Sequence, residues 1–304
     1  LTGYTGVGFS RISVNPSLSI IYKLNYAWRF TVHASYKERY GEMTDLYDRP
    51  YQTDYRNSVW NCGILPVYRQ QLYSVYGEYK NTAREFFATV NLTHNREWYN
   101  RIYEQRIENG QVQRVSLPLS NHGSGYTVKS TLSKGFYDLG LKTSFLALLN
   151  ISKAEQISGG QRLPYQYRLM RLEPKVIWTP NRHWETSYQT DIRYGGSKIG
   201  ERTRLAPLWN VTQQVQLSYI FSPIEASLSV DHYHNDVNED QSVNAVFADF
   251  SVLWKSRRWQ ITATATNLFD KRTYGYTRYA SLESYTSWVR IRPREFLVAI
   301  RYQL

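Results

Sequence analysis

No stretch of the chain approaches the roughly 20 consecutive apolar residues that a membrane-spanning helix needs, which excludes a helical membrane protein. A single cysteine, Cys62, rules out an intramolecular disulfide and a multi-thiolate zinc centre. Catalytic motifs are missing as well: no Gly-x-Ser-x-Gly, P-loop, dinucleotide fingerprint or His-Glu-x-x-His occurs. Glycine pairs at 159–160 and 195–196 fall in predicted loops, where turns explain them better than phosphate cradles. No signal peptide opens the chain, so Leu1 is read either as a mature terminus or as a cut inside a longer protein, the second reading being preferred. Neither enzyme activity, a cofactor nor a bound metal is expected.

The formal charge of +12 raises the question of nucleic acid. Lys and Arg are scattered among predicted strands and loops rather than gathered in one basic segment, so no nucleic-acid partner is expected. The scatter suits a positive barrel mouth that faces anionic lipopolysaccharide or steers an anionic substrate. A mean hydropathy of −0.54 fits a soluble protein. It fits a membrane barrel equally, because alternate strand residues face a polar lumen.

What is abundant is aromatic: 27 Tyr, 9 Trp and 11 Phe in 304 residues. Apolar and polar residues alternate with a period of two, as half-buried strands require. Trp209, Val211, Gln213, Val215, Leu217, Tyr219 and Phe221 share one face, against Asn210, Thr212, Gln214, Gln216, Ser218 and Ile220. Trp28, Phe30, Val32, Ala34 and Tyr36 alternate with Arg29, Thr31, His33, Ser35 and Lys37, and the same holds from Ile224 and from Trp259.

Short and long connections alternate too. Tight turns are predicted near Leu24–Ala27, Lys80–Ala83, Lys134–Asp138, Pro180–His183, Phe221–Pro223 and Ser256–Arg258. Longer loops are predicted at 41–69, 107–122, 158–164, 195–206 and 235–241, with a tip near 279–283. One rim of turns and one of loops is the plan of an outer-membrane barrel. About thirteen spanning strands follow: 5–24, 28–40, 70–80, 84–106, 111–134, 136–157, 165–180, 184–196, 205–222, 223–236, 242–256, 259–279 and 283–304. The first has an alternative as two shorter strands broken at Asn15-Pro16. Trp28, Trp178, Trp184, Trp209, Tyr219, Trp254 and Trp259 lie at strand ends, as interfacial girdles do. Bacterial single-chain barrels have even strand numbers, so residues 1–304 are read as one partial transmembrane β-barrel domain of 13–14 strands.

Several polar sets were weighed as sites. His232 and His234 share a strand face beside Asp231 and Asp236 and are read as a solvent-exposed pair rather than metal ligands. Glu173 and Asp191 have the residue types of a glycosidase pair, but Lys175 and Arg193 on the same faces favour lumen ion pairing. In loop 41–69, Tyr47, Arg49, Tyr51, Tyr55, Arg56 and Trp60 are suited to stack on and neutralise an anionic chelate, or equally to pack on neighbouring loops. Arg202, Arg204, Tyr274, Tyr276 and Arg278 are candidates for the same mouth.

The final strand places Phe296, Val298, Ile300, Tyr302 and Leu304 outward and Leu297, Ala299, Arg301 and Gln303 inward. This resembles the C-terminal signal read by the barrel assembly machinery, although that signal usually ends in Phe. Asn15–Leu24, Trp28–Tyr40, Asp45–Tyr47 and Gln71–Lys80 resemble mid-barrel segments of TonB-dependent receptors. So do Asn267-Leu268-Phe269-Asp270 in the penultimate strand and Pro293-Arg294 before the last, in an Arg-Pro-Arg-Glu-Phe form similar to Bacteroidetes receptors. The resemblance covers the whole chain. It implies a 22-stranded barrel, with a plug, a TonB-contacting segment and about nine strands upstream. It also implies energy-coupled uptake of a ferric siderophore, haem, cobalamin or glycan, and a possible surface lipoprotein partner. The C-terminus would be periplasmic and the long loops extracellular. A passive outer-membrane channel and a soluble all-β binding module are the alternatives.

Overall fold

Period-two alternation leaves each segment one apolar and one polar face, and a meander of such segments buries its backbone groups only by pairing side by side. The computed structural model describes residues 12–108, 111–200, 203–237, 241–279 and 284–303. It is all-β: β1 (Ser17–Lys23), β2 (Trp28–Tyr40), β3 (Tyr51–Gln52), β4 (Asn57–Trp60), β5 (Val67–Asn81), β6 (Phe86–Tyr99) and β7 (Ile102–Glu108) open the chain. Then follow β8 (Gln111–Leu117), β9 (Asn121–Phe136), β10 (Leu141–Ser158), β11 (Gln161–Asn181), β12 (Trp184–Ile199) and β13 (Thr203–Phe221). The last six are β14 (Ile224–Asp236), β15 (Ser242–Lys255), β16 (Trp259–Thr266), β17 (Thr273–Tyr279), β18 (Ser284–Arg290) and β19 (Glu295–Tyr302).

An antiparallel wall runs β1-β2-β5-β6-β9-β10-β11-β12-β13-β14-β15-β16-β19, each strand paired with the next. The remaining strands lie in the connections. Turns at 24–27, 82–85, 137–140, 182–183, 222–223 and 256–258 form one rim, and the extended connections 41–66, 100–120 and 267–294 lie at the other, together with the short turn between β10 and β11. Among the described residues no pairing joins β19 to β1.

Several expected boundaries are corrected. Strand 84–106 breaks at Asn100, whose side chain accepts from the Val67 N–H at 2.8 Å and donates to the Leu65 carbonyl at 2.9 Å, ending the pairing with β5. Strand 111–134 breaks between β8 and β9 at Pro118, which lacks the N–H a ladder needs. Residues 158–164 are not a loop: β10 and β11 pair out to Ser158↔Gln161 across a turn made by Gly159 and Gly160, both at positive φ. Residues 195–199 likewise remain in β12 and pair with β13, with a register shift between Gly195 and Ser197. Strand 259–279 breaks at Asn267, and 283–304 breaks ahead of Glu295. Among the described residues of 5–24, Ser17–Lys23 is the strand; residues 5–11, 280–283 and Leu304 lie outside the described residues.

Register carries one face across the whole wall. Ile20, Val32, Val75, Leu92, Val128, Leu149 and Met170 are successive partners from β1 to β11, and Leu217, Leu228, Phe250 and Ala265 continue the apolar face to β16. On the opposite face the neighbours are Asn91 and Lys129, Thr89 and Thr131, and Ser227 and Ser251, the last pair hydrogen-bonded at 2.7 Å. Many apolar-face residues are exposed, Leu18, Val90, Leu132 and Phe145 among them. Among the described residues, nothing packs against these exposed apolar side chains. From Leu141 to Ile151 the strand advances about 33 Å, and a tilt of about 40° projects this to about 25 Å, the height of a membrane barrel's apolar band.

Aromatic residues bound this band. At the turn rim Trp28 meets Tyr79 at 4.7 Å between ring centroids, Trp184 meets Tyr219 at 4.7 Å, and Trp259 meets Tyr302 at 4.7 Å. Trp178 donates to the Leu139 carbonyl and Trp254 partners Ile224 at the same rim. Trp209 does not belong to this ring: it stands at the loop rim beside Tyr194, 4.6 Å away.

Because the apolar face is left exposed among the described residues, Leu92→Arg is expected to destabilise the complete protein in lipid vesicles by about 2–4 kcal/mol. Asn91→Arg, one residue along and on the other face, should cost less than about 1 kcal/mol. Urea titrations of folding into vesicles measure both.

Candidate functional site

The loop rim carries two structured caps. In the first, β4 pairs in parallel with β8, β8 pairs with β7, and β7 touches β10 through Ile157 and Glu104. Ile102 is fully buried at its centre, with Val115, Ile157 and Ser116. Asn61 is buried and donates to the Thr44 carbonyl at 3.1 Å, tying the start of connection 41–66 to its end. Cys62 is not isolated: its sulfur lies 3.4 Å from Ser116 Oγ.

Tyr103 stands between two guanidiniums, Arg114 at 3.7 Å and Arg101 at 4.9 Å from the ring centroid. Arg101 is held by Asp45 at 2.7 Å, which leaves the Arg114–Tyr103 pair the closer of the two stacks. Burial raises the Tyr103 hydroxyl pKa, opposed by both arginines, so the ring stays neutral.

The loop residues singled out from sequence divide between packing and exposure. Tyr47 and Tyr51 make an edge contact at 6.0 Å, and Trp60 Nε1 reaches Asp48 at 3.5 Å. Arg56 lies 5.3 Å from the Tyr55 ring, and Tyr55 is strongly exposed. Asp54 holds this tip by accepting from Asn57 Nδ2 at 2.7 Å and from the Arg56 and Asn57 N–H groups; the Asn57 amide is the chief reason its pKa is lowered. Arg49 lies on the exposed stretch between Asp48 and Tyr51.

The second cap is the hairpin β17–β18. Tyr274 packs edge-on against Tyr233 at 5.3 Å and Phe247 at 6.3 Å, and its hydroxyl accepts from Asn235 Nδ2 at 2.7 Å. Tyr276 stacks on Tyr274 at 6.1 Å. Tyr233, Asn235 and Phe247 lie on the polar face of the wall, so this hairpin folds over the inner side of the sheet. Tyr274 is therefore an anchor of the cap. Arg202 and the side chains of Arg204 and Arg278 lie outside the described residues. The loop-41–66 set sits between β2 and β5 and the hairpin between β16 and β19, at opposite ends of the wall order, so the structure does not bring the two sets together.

Asn267-Leu268-Phe269-Asp270 is a clamp. Asn267 and Asp270 both adopt φ of 50°, conformations that Asn and Asp tolerate better than most residues. Buried Asn267 donates through Nδ2 to the Lys271 and Arg292 carbonyls at 2.8 and 2.9 Å, accepts from the Lys271 N–H at 3.0 Å, and its own N–H reaches Asp249 at 2.7 Å. Asp270 accepts from the Arg294 N–H at 3.0 Å and from Arg272 at 2.9 Å. Leu268 donates its N–H to the Ala248 carbonyl, while Phe269 is exposed. Pro293 thus belongs to a segment pinned on both sides, just before Phe296, Val298, Ile300 and Tyr302 pair with Ala265, Ala263, Ile261 and Trp259.

The weighed polar pairs resolve into structural roles. His232 and His234 lie on the apolar face, where the first contacts Gln213 at 3.1 Å and the second Asn244 at 2.8 Å and Asp236 at 3.2 Å. Asp231 points to the other face. Asp191 is bridged by Arg171 and Arg193 at 2.9 and 2.7 Å, so the expected Arg193 pairing is present on the inner face, whereas Glu173 pairs with Arg171 rather than with Lys175. Sequence reading missed this arginine and also the Glu97 hub, which accepts from Tyr68, Gln70, Asn95 and Tyr99 at 2.8–3.0 Å. Their signal was polar residues recurring at every second position on paired strands.

No family model matches the chain, and no curated protein does. Among solved structures it is similar to the ferric yersiniabactin uptake receptor FyuA from Yersinia pestis, at 7% identity over 95% of this chain and 50% of that one, with a TM-score of 0.45. FpvA of P. aeruginosa, bound to a heterologous pyoverdine, gives 11% identity over 94% and 44%, with a TM-score of 0.47. The toluene transporter TodX of Pseudomonas putida gives 11% over 95% and 82%, with a TM-score of 0.27. The chain spans about half the length of the first two. Likeness at this level assigns neither family nor function.

The clamp generates two expectations. Asn267→Ala removes three side-chain hydrogen bonds at a buried site and should lower the local opening energy of residues 267–294 by roughly 2–4 kcal/mol, read by hydrogen exchange. The Arg294 N–H and then Arg272 hold the Asp270 carboxyl below its ordinary 3.8. A depressed carboxylate stabilises above its ordinary value and loses that contribution as pH falls through the folded one. Exchange in 291–295 should therefore accelerate on acidification below about pH 4, beyond the intrinsic pH dependence, and Asp270→Asn should abolish that step.

Proposed function

We propose that this chain is the C-terminal wall of an outer-membrane β-barrel that takes up a scarce ligand as a TonB-dependent receptor. The observation that carries the membrane part is the continuous apolar face of the wall, left exposed among the described residues and opposed by a polar face across the same strands. Hydrocarbon is the medium that such a face fits, and a sheet is tolerated there only when its backbone groups are paired. Residues 1–304 form one partial barrel domain in this reading. A plug and further strands, some nine for a 22-stranded barrel, come from the rest of the protein and couple it to TonB.

The receptor part rests on the resemblance of Asn267–Asp270 and Arg292–Phe296 to TonB-dependent receptors. The clamp gives that motif a physical role, since it fixes where the last strand starts. Arg114 on Tyr103, with exposed Tyr55 and Arg56, offers cationic and aromatic groups suited to an anionic metal chelate such as a ferric siderophore. Haem, cobalamin and glycans are further members of the ligand class. The barrel assembly machinery would read Phe296–Leu304, and a surface lipoprotein would meet the loop rim. The long loops would be extracellular and the C-terminus periplasmic.

Uptake of labelled ferric chelates by cells expressing the complete gene product tests the proposal. Saturable uptake that stops when the proton-motive force is dissipated is the expected result. Uptake linear in concentration and indifferent to the force would replace the receptor with a passive channel, and a complete protein that folds in water without detergent would replace it with a soluble module.

A further inference from the structure

The outward face changes character in ordered steps toward the loop rim of β6 to β12. The apolar row Leu92-Val128-Leu149-Met170 comes first. Next is a row of His94, Tyr126, Ile151 and Arg168, in which the His94 and Tyr126 rings stack at 4.3 Å. One step further, register aligns Arg96, Ser124, Lys153, Gln166 and Lys198 on five adjacent strands. Arg96, Lys153, Arg168 and Lys198 are all exposed, and among the described residues none has an acidic partner. Neighbouring acids are engaged elsewhere: Glu155 by Arg162, and Glu97 on the other face by Tyr68 and Tyr99. Arg96, Trp98, His122 and Lys153 line a groove of about 340 Å³ there, together with Glu97 and Glu155, the two acids engaged as just described.

Adjacent strands are about 4.8 Å apart, so these cations fall within about 20 Å, spaced for more than one anion. Apolar band, aromatic row and cation row repeat the order of acyl chain, interface and headgroup in a leaflet. Rows of unpaired cations at the depth where a bilayer presents phosphate are a binding surface for it, with arginine supplying bidentate donors.

We propose that Arg96, Lys153, Arg168 and Lys198 bind the phosphates of an anionic glycolipid in the outer leaflet, with the lipid's acyl chains lying on the Leu92–Met170 row. This rests on the reading of the wall as membrane-embedded. The test compares the complete protein, reconstituted into phosphatidylcholine vesicles and then extracted, with two charge-matched triple variants. One is Arg96→Gln/Lys153→Gln/Arg168→Gln on the outer face; the other is Lys129→Gln/Lys142→Gln/Lys175→Gln on the inner face. Native mass spectrometry reads retention of bisphosphorylated lipid A. The outer triple should retain it at least about tenfold more weakly, the inner triple within about twofold of the unaltered protein, and dephosphorylated lipid A should bind every form as weakly as the outer triple binds the phosphorylated one. Equal retention by both triples, undiminished binding of the dephosphorylated lipid, or displacement by inorganic phosphate at equal concentration would overturn the proposal. Normal vesicle insertion with any of those results sinks the lipid site alone; failure to insert sinks the membrane reading as well.

Discussion

Every backbone N–H and C=O that enters hydrocarbon must be hydrogen-bonded within the protein, because each unpaired group costs several kcal/mol there. On the reading proposed for this chain, its strands meet that demand. Side-by-side antiparallel pairing satisfies the interior of the wall from β2 to β16, and the pleat then sends alternate side chains to opposite media. One face becomes Ile20, Val32, Val75, Leu92 and their successors; the other becomes Asn91, Thr131, Gln214 and the Arg171–Glu173–Asp191–Arg193 cluster. The negative mean hydropathy and the absence of long apolar runs are consequences of this partition.

The same demand explains the rims. Where the proposed membrane wall would leave hydrocarbon, water satisfies the backbone and the chain is free to bulge, cap and bind. At the turn rim connections stay short and aromatic rings fill the interface. At the loop rim strands overrun the apolar band, loops pair with each other, and a hairpin tilts over the inner face through Tyr274. Candidate ligand contacts and candidate lipid contacts occupy this one rim, separated by the face they lie on.

The wall was legible in the sequence because period two is a long, repeated signal. The segment 28–40 begins and ends where β2 does, and each of the thirteen expected strands overlaps one strand of the wall, although 84–106, 111–134, 259–279 and 283–304 each run into a second, separate strand. What was not legible lies where a single residue outweighs the pattern. Asn100 ends β6 through hydrogen bonds to residues more than thirty positions away, which no local pattern reveals. Asn267 ends β16 through side-chain hydrogen bonds to Lys271 and to Arg292, twenty-five positions away. At 158–164 the opposite happened: Gly159-Gly160 fell in an expected loop, yet cross-strand pairing carried the hairpin to its tip. The site was legible only as residue types. Sequence marked Tyr47, Tyr55, Arg56 and Tyr274, but it could not show that Tyr274 is an anchor, nor that Tyr103 between Arg101 and Arg114 is the stacked centre of the first cap.

The central claim is that one face of this wall meets lipid and the other water. Single spin labels placed at Val90, Asn91, Leu92 and Thr93 in the complete protein, with Cys62 replaced by serine and the protein reconstituted in vesicles, test it most directly. Labels at 90 and 92 should relax with membrane-soluble oxygen and those at 91 and 93 with a water-soluble nickel chelate, alternating residue by residue. Access to the nickel chelate at all four positions, or no alternation between them, would contradict the account.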